Sequence, residues 1–470
     1  MRSQMHAADI AKGGPVWAAQ AFLLSLLIPF YLPVGPLLLM PHRIVLIVLF
    51  IPFFLKLFVS RTAGPVLAAD WLLFLSTLWA AVAMLANHPL GVVVEPIGIH
   101  IVEFFGAYLV ARVAIRSSAD FRRMAKTFFL IVLFLLPFAA AESLTRRPIL
   151  LDLLPGNSVR VTDGGIRMGM RRAQTIFAHP ILFGVFVSTG LGIFWYALRP
   201  RGLRFIGAPA AIMATIFSLS TGALISLVVQ SLFIGWEMAL RTLRARWRLF
   251  AAFSFIGYIL IDLLSNRSPF HVLVTYGTFY TGSAYNRIRI WEHGTENVWN
   301  NPLFGLGLND WERPSWMSSS VDNFWLLIAM RYGFPAIIMV VIALVLILRR
   351  VARKDLSDEG DALARAGYLV AFGGLCIAGG TVHYWHAMMA FVMFIFGTGL
   401  WCCTGGVQKR PDENTNSTES PSPKRRSKYS RQPDVGGPVG GMVARSMPDT
   451  PRVPLMRRSR PARARTTRDI

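Results

Sequence analysis

Residues 333–349 read GFPAIIMVVIALVLILR, and Arg350 follows directly. After Pro335 every residue is apolar until Arg349 closes the run. A run of this length spans a bilayer core as a helix, and its uniform apolarity rules out the half-polar face of a soluble helix. Similar runs recur near 17–39, 43–60, 66–86, 97–115, 126–142, 177–198, 203–219, 222–239, 248–264, 364–381 and 386–403. The 470 residues are 54% hydrophobic and only 16% charged, which agrees with that reading. The sequence therefore predicts an all-α, polytopic transmembrane helical bundle of about twelve spans.

Basic residues then set the expected topology. With the N-terminus (1–16) in the cytoplasm, alternate short loops hold Arg61; Arg112, Arg116, Arg122, Arg123 and Lys126; Arg199, Arg201 and Arg204; Arg241, Arg244, Arg246 and Arg248; and Arg349, Arg350, Arg353 and Lys354. That is the positive-inside pattern, and it puts the C-terminus in the cytoplasm as well. Helices 1–9 occupy 17–264 and helices 10–12 occupy 333–403. Between them, 265–332 forms a large periplasmic loop, and 143–176 forms a second long loop on the same side. Loops of this length usually fold or function. Residues 404–470, rich in Ser, Pro, Gly and Arg, read as a disordered basic cytoplasmic tail. Much of the net charge of +23 sits in that tail and in the cytoplasmic loops, so it points to topology and membrane lipids and not to nucleic acid.

Three stretches offer chemistry. In RRAQTIFAHPILFGVF (171–186), Arg171 and Arg172 lie on the side where the charge bias disfavours them, and His179 and Pro180 open a span. His179 by itself reads equally as an interfacial structural residue. In YNRIRIWEHGTENVWNNPLFGLGLNDW (285–311), Ile288, Trp291, Val298 and Trp299 share one helical face, which suggests a helix lying in the membrane interface. Asn301-Pro302 stops that helix, and Gly305 and Gly307 make a turn. Arg287 and Arg289 at its start suit a diphosphate headgroup, because a guanidinium fork matches phosphate oxygens; they equally suit an anchor for the helix. In VDNFWLLIAMRYGFPA (321–336), Asp322 is either a helix cap or a general base, and Asn323 stands beside it. Asp322 and Arg331, nine positions apart, fall on roughly opposite faces of a straight helix.

Cys376, Cys402 and Cys403 form neither a disulfide framework nor a zinc spacing, and HYWH (383–386) reads as an aromatic interface belt. The sequence has no Walker loop, dinucleotide fingerprint, HExxH or Asp-x-Asp. No metal site and no cofactor is expected, so an enzyme of this make-up needs a donor already activated in the membrane.

Together, RRAQTIFAHP, NRIRIWEHGTENVWNNPLFGLG and VDNFWLLIAMRYGFP resemble the O-antigen ligase and O-antigen polymerase superfamily of polytopic inner-membrane proteins. The resemblance covers about 165–345. It implies a membrane glycosyltransferase of the bacterial inner membrane that works at the periplasmic face without metal. It takes an undecaprenyl-diphosphate-linked oligosaccharide as donor, with a chain-length regulator or export complex as the expected partner. Arg172 matches the arginine of an Arg-x-x-Gly-x-Phe-x-x-Pro pattern, and Arg287 that of Arg-x-x-x-Trp. Arg289 is added on physical grounds, Asp322 as catalytic base, and Asn323 and His179 as supporting residues. Thr175 replaces the family's glycine, Thr221 stands in LSTGA where many members have arginine, and Asp322 stands where ligases carry histidine. That last departure favours a polymerase of surface polysaccharide (exopolysaccharide or O-antigen) over a ligase acting on lipid A–core. A lipid-linked oligosaccharide flippase and a non-catalytic scaffold remain the readings of other classes.

Overall fold

The structure is a computed structural model that describes residues 13–34, 37–162, 165–243, 245–266, 271–272, 275 and 281–404. The tail expected to be disordered lies, from residue 405 onward, outside the described residues. The chain folds as α1 (Val16–Ser25), a hairpin of β1 (Leu32–Val34) and β2 (Leu37–Leu39), α2 (Pro41–Val59), α3 (Ala68–Asn87), α4 (Leu90–Ala114) and α5 (Ser118–Thr145). A second hairpin follows, β3 (Ile166–Arg167) with β4 (Met170–Arg171), then α6 (Pro180–Ala197), α7 (Arg204–Phe217), α8 (Thr221–Ala239), α9 (Arg246–Leu264) and α10 (Thr281–Asn300). The last three helices are α11 (Phe324–Arg353), α12 (Glu359–Gly379) and α13 (Ala387–Cys403).

Every apolar run foreseen in the sequence is helical over most of its length except the first. Among the described residues nine helices are long and apolar enough to cross a membrane, and α1 and α13 are shorter apolar helices. The fold is the polytopic helical bundle expected. Within the first run the helix stops at Ser25 and Leu32 pairs with Leu39, because Pro29 and Pro33 remove the donors a helix needs.

Asp70 and Glu103, buried acids within the spans, have local partners. Asp70 caps the start of α3 by accepting from Leu67 N (2.8 Å), and Tyr108 Oη and Arg112 Nε reach its other oxygen at 2.5 and 3.3 Å. Glu103 accepts from Arg43 Nε at 2.7 Å and pairs with His42 Nε2 at 3.1 Å. Lys56 rests its ammonium 5.4 Å from the Phe53 ring. Each buried carboxylate is thus paired, as burial in apolar surroundings requires.

Helix α11 begins at Phe324, nine residues before the span expected from 333, and it is broken at Gly333 (φ 76°, ψ 178°). The break frees three carbonyls, and each finds a new donor. Pro335 has no N–H to give Arg331 O, which accepts from Gly307 N instead (3.0 Å). Phe334 N turns to Pro302 O (2.8 Å), and Met330 O accepts from Leu306 N (2.7 Å). Tyr332 O accepts from Trp79 Nε1 on α3 (3.0 Å). The segment PLFGLG (302–307) is therefore a main-chain clasp around the break, which is how a helix tolerates interruption away from water. Its glycines are obligatory: a Cβ on Gly333 would lie 2.1 Å from Leu303 O, and one on Gly305 would lie 2.5 Å from Met330 O.

The large loop also builds its own small core, in which Ile290, Val298, Trp311, Met317 and Val321 pack on Leu326, Ala329 and Met330. Here the helical face expected from the sequence is corrected. Ile288 and Val298 are buried, but Trp291 and Trp299 are 43% and 72% exposed. The inward face of α10 runs through Arg287, Ile290, Gly294 and Asn297. Two contacts explain that choice. Gly294 lets Leu326 come close, and the Asn297 amide makes a two-point pair with the Glu312 backbone at 2.9 Å each.

Candidate active site

At the end of the bundle where α6, α8 and α11 begin, the loops enclose a cavity of about 380 Å³ lined by Arg167, Arg172, His179, Arg287 and Asp322. Ile181, Ser220, Thr221, Ser320 and Trp385 complete the wall. Four of the residues singled out in the sequence meet here from four separate segments: Arg172, His179, Arg287 and Asp322. Two do not line it. Arg289 points elsewhere, its guanidinium 4.5 Å from the Trp316 ring, and Asn323 is buried beneath the helix start.

The helix cap of α11 is Asn323 and not Asp322, with Asn323 Oδ1 accepting from Leu326 N at 3.1 Å. Asp322 is thereby released to face the cavity, where Ser320 Oγ donates to its Oδ1 at 3.2 Å. Arg331 lies on the other side of α11 and does not line this cavity, as the helical spacing required.

The arginines are held by the backbone around them. Arg167 lies on the two-residue hairpin β3–β4, whose turn uses Met168 (φ 52°) and Gly169 (φ 77°), and its Nη1 donates to Leu219 O at 3.0 Å. Arg287 Nε donates to Thr381 O at 3.2 Å from the buried face of α10. Arg172 follows β4 directly. Its segment is pinned by Glu142 of α5, whose Oε2 accepts from Thr175 N at 2.8 Å and whose Oε1 lies 3.5 Å from Arg171 Nε. Thr175 sits at φ 51°, the left-handed region that favours glycine, and the hydrogen bond to Glu142 helps hold it there. The absent glycine is thus answered by a buried carboxylate.

Basic groups predominate in the cavity lining. Burial lowers the pKa of Arg172 to about 10, with Arg167 adding to the shift and Asp322 opposing it. Burial also lowers that of Arg287, again with Asp322 opposing and Arg167 adding. Three guanidinium groups are set against one carboxylate, so an anion relieves their mutual repulsion. His179 is pushed down to about 4 by burial, then by Arg172 and Arg167, and is neutral near pH 7. Its Nδ1 accepts from Ile181 N (3.1 Å), which places the ring proton on Nε2. Ser220 Oγ, fully buried in the cavity wall, has no hydrogen-bond partner among the described residues. Among those residues no group of three or more His, Cys, Asp or Glu is arranged to hold a metal ion.

Residues 206–341 match the family model described as O-antigen ligase. This match, over less than a third of the chain, supports the resemblance to the O-antigen ligase/polymerase superfamily. The matched segment runs from α7 to the middle of α11 and carries Thr221, Arg287, Asp322 and the clasp; Arg167, Arg172 and His179 come from outside it. No curated protein matches the chain.

Sequence reading missed Arg167, Glu142, Ser220 and Trp385. Arg167 had a signal, since it lies in a loop whose arginines run against the charge bias. Trp385 was read as part of an interface belt, yet it forms a cavity wall beside His179, with ring centroids 5.6 Å apart.

Proposed function

We propose that this protein belongs to the O-antigen ligase/polymerase superfamily and polymerises a bacterial surface polysaccharide. It transfers an undecaprenyl-diphosphate-linked oligosaccharide to an acceptor hydroxyl at the periplasmic face of the inner membrane. The observation that carries this reading is the joint cavity of Arg167, Arg172, Arg287 and Asp322. In the reaction, the acceptor oxygen forms a bond to the anomeric carbon and the bond from that carbon to phosphate breaks. The hydroxyl proton passes to Asp322, and the undecaprenyl diphosphate departs against the arginines. Charge develops on the leaving diphosphate, and fixed guanidinium groups in a desolvated pocket stabilise it; deleting one such donor typically lowers turnover by about 10²–10³-fold. Ser220 Oγ and the Nε2 proton of neutral His179 are placed to hydrogen-bond phosphate or sugar oxygens.

The charge distribution supports the orientation. The short loops at the other end of the bundle hold Arg61, Arg116, Arg199, Arg201 and Arg349, so that end faces the cytoplasm and the cavity faces the periplasm, with both termini cytoplasmic. The flippase reading is less well supported, because the cavity arginines gather at one end, while acids along the spans such as Asp70 and Glu103 are already paired.

A second reading, transfer to lipid A–core, is favoured by the description of the matched family as a ligase. Asp322 in place of the ligase histidine tells against it. Purified protein supplied with a lipid-linked repeat unit separates the two. Ladders on the lipid carrier support the polymerase, and product on lipid A–core supports the ligase. Transbilayer movement without any glycosyl transfer refutes both.

A further inference from the structure

The arginine cavity shares wall residues with two others. Ser320, the hydrogen-bond donor to Asp322, also lines a second cavity of about 480 Å³ with Asn309, Asp310, Ser319, Arg331 and His383. Arg331, His383, Leu308 and Leu327 are shared between that cavity and a third of about 370 Å³. The third is walled mainly by apolar groups, among them Phe324, Ile328, Tyr332 and Met389, and Trp385 separates it from the first.

The three differ in chemistry. The first gathers guanidinium groups around one carboxylate. The second presents hydroxyl, amide and carboxylate groups, the donor and acceptor mixture that recognises sugar hydroxyls. The third is an apolar slot with Arg331 on its wall. The acids lining the second and third cavities are already engaged, Glu103 with Arg43 and Asp310 with Arg313, each at 2.7 Å. Their charges are therefore directed at other groups than Arg331. His383, pushed down to about 3 by burial, with Arg331 and His386 adding, is a neutral hydrogen-bonding group beside that arginine.

We infer that the second and third cavities together form the acceptor subsite, which takes a saccharide carried on a phosphate-bearing lipid. Its hydroxyls occupy the second cavity and face Asp322 across Ser320. Its phosphate lies against Arg331, and the first carbons of its lipid run along the third cavity. This rests on the glycosyl-transfer reading and adds to it that donor and acceptor occupy different sides of α11 at once. The acceptor oxygen gives its proton to Asp322 as its bond to the donor's anomeric carbon forms, and the diphosphate leaves into the arginine cavity.

Native mass spectrometry of the detergent-solubilised protein counts bound lipids without requiring turnover. With an undecaprenyl-diphosphate-linked repeat unit as probe, the wild type is expected to hold two copies. Leu327→Trp, which intrudes on both the second and the third cavity, and Arg331→Gln should each hold one, and Arg287→Gln should lose the other. If the second copy is replaced only by lipid A–core, the same subsite serves a ligase. In a transfer assay Arg331→Gln should raise KM for the acceptor by roughly tenfold or more while KM for the donor stays within about twofold. A wild type that holds one lipid of either kind, or two copies unaffected by Leu327→Trp and Arg331→Gln, overturns the inference. Two bound copies without any transfer would instead sink the glycosyl-transfer reading and leave two lipid sites.

Discussion

Replacing Asp322 by Asn separates chemistry from folding at one position. The amide is nearly isosteric and still accepts from Ser320 Oγ, the 3.2 Å bond seen for the carboxylate, but it cannot take a proton. Because the helix is capped by Asn323 and not by Asp322, α11 should start normally and thermal stability should change by less than about 0.5 kcal/mol. Activity should fall by about 10²–10⁴-fold, the usual contribution of a general base. Asn323→Ala should do the reverse. It removes the bond to Leu326 N and should cost about 1 kcal/mol of stability while leaving the base in place. Initial rates of lipid-linked repeat transfer, measured beside thermal unfolding in the same detergent, read both effects. Asp322→Asn with near wild-type rates, or with a stability loss comparable to that of Asn323→Ala, would refute the assignment.

Arg287→Lys keeps a charge but loses the planar fork and the bond to Thr381 O, so donor turnover should drop at least about tenfold in the same assay. Gly333→Ala forces a Cβ to within 2.1 Å of Leu303 O at a φ of 76°, and a destabilisation of about 3 kcal/mol or more is expected in thermal unfolding, or loss of folded protein on size exclusion. Trp79→Phe leaves Tyr332 O without its donor and should cost about 1–3 kcal/mol, measured the same way. His179 has a folded pKa of about 4 against an ordinary 6.5, so between those values the unfolded chain binds the extra proton. Stability should therefore fall as pH drops from about 6.5 toward 4, and His179→Gln should flatten that part of the unfolding-versus-pH curve.

The span pattern was legible because membrane helices carry their signal in uniform apolarity, which needs no partner to interpret. Arg172, Arg287 and Asp322 stood out in the sequence as charges at the ends of apolar runs, each with a structural reading beside the chemical one, and the structure places all three on one cavity. What stayed hidden depended on three-dimensional pairing. Nothing in the run 126–142 marks Glu142, at its end, as the carboxylate that holds Thr175 in a left-handed conformation; that is visible only once α5 lies beside the loop. The inward face of α10 was misjudged because the apolar residues were weighed and the amide was not. Asn297 is turned inward by a backbone it meets only after the chain doubles back to Glu312. Arg289 looked equivalent to Arg287 in sequence, but two residues on a helix are far apart in direction, and only one faces the cavity.

The clasp at the break in α11 is made by main-chain groups of 302–307, braced from α3 by the side chains of Trp79 and Asn87, with glycine where a side chain would intrude. None of these bonds is made by a side chain of the loop itself. Leu306, Leu308, Asn309 and Asp310, which line the second cavity, hang from or follow directly on a fastening that their own substitution does not loosen. Recognition of a new sugar can thus be acquired by changing these side chains one at a time, whereas changing the length of this short loop would shift both halves of the helix together.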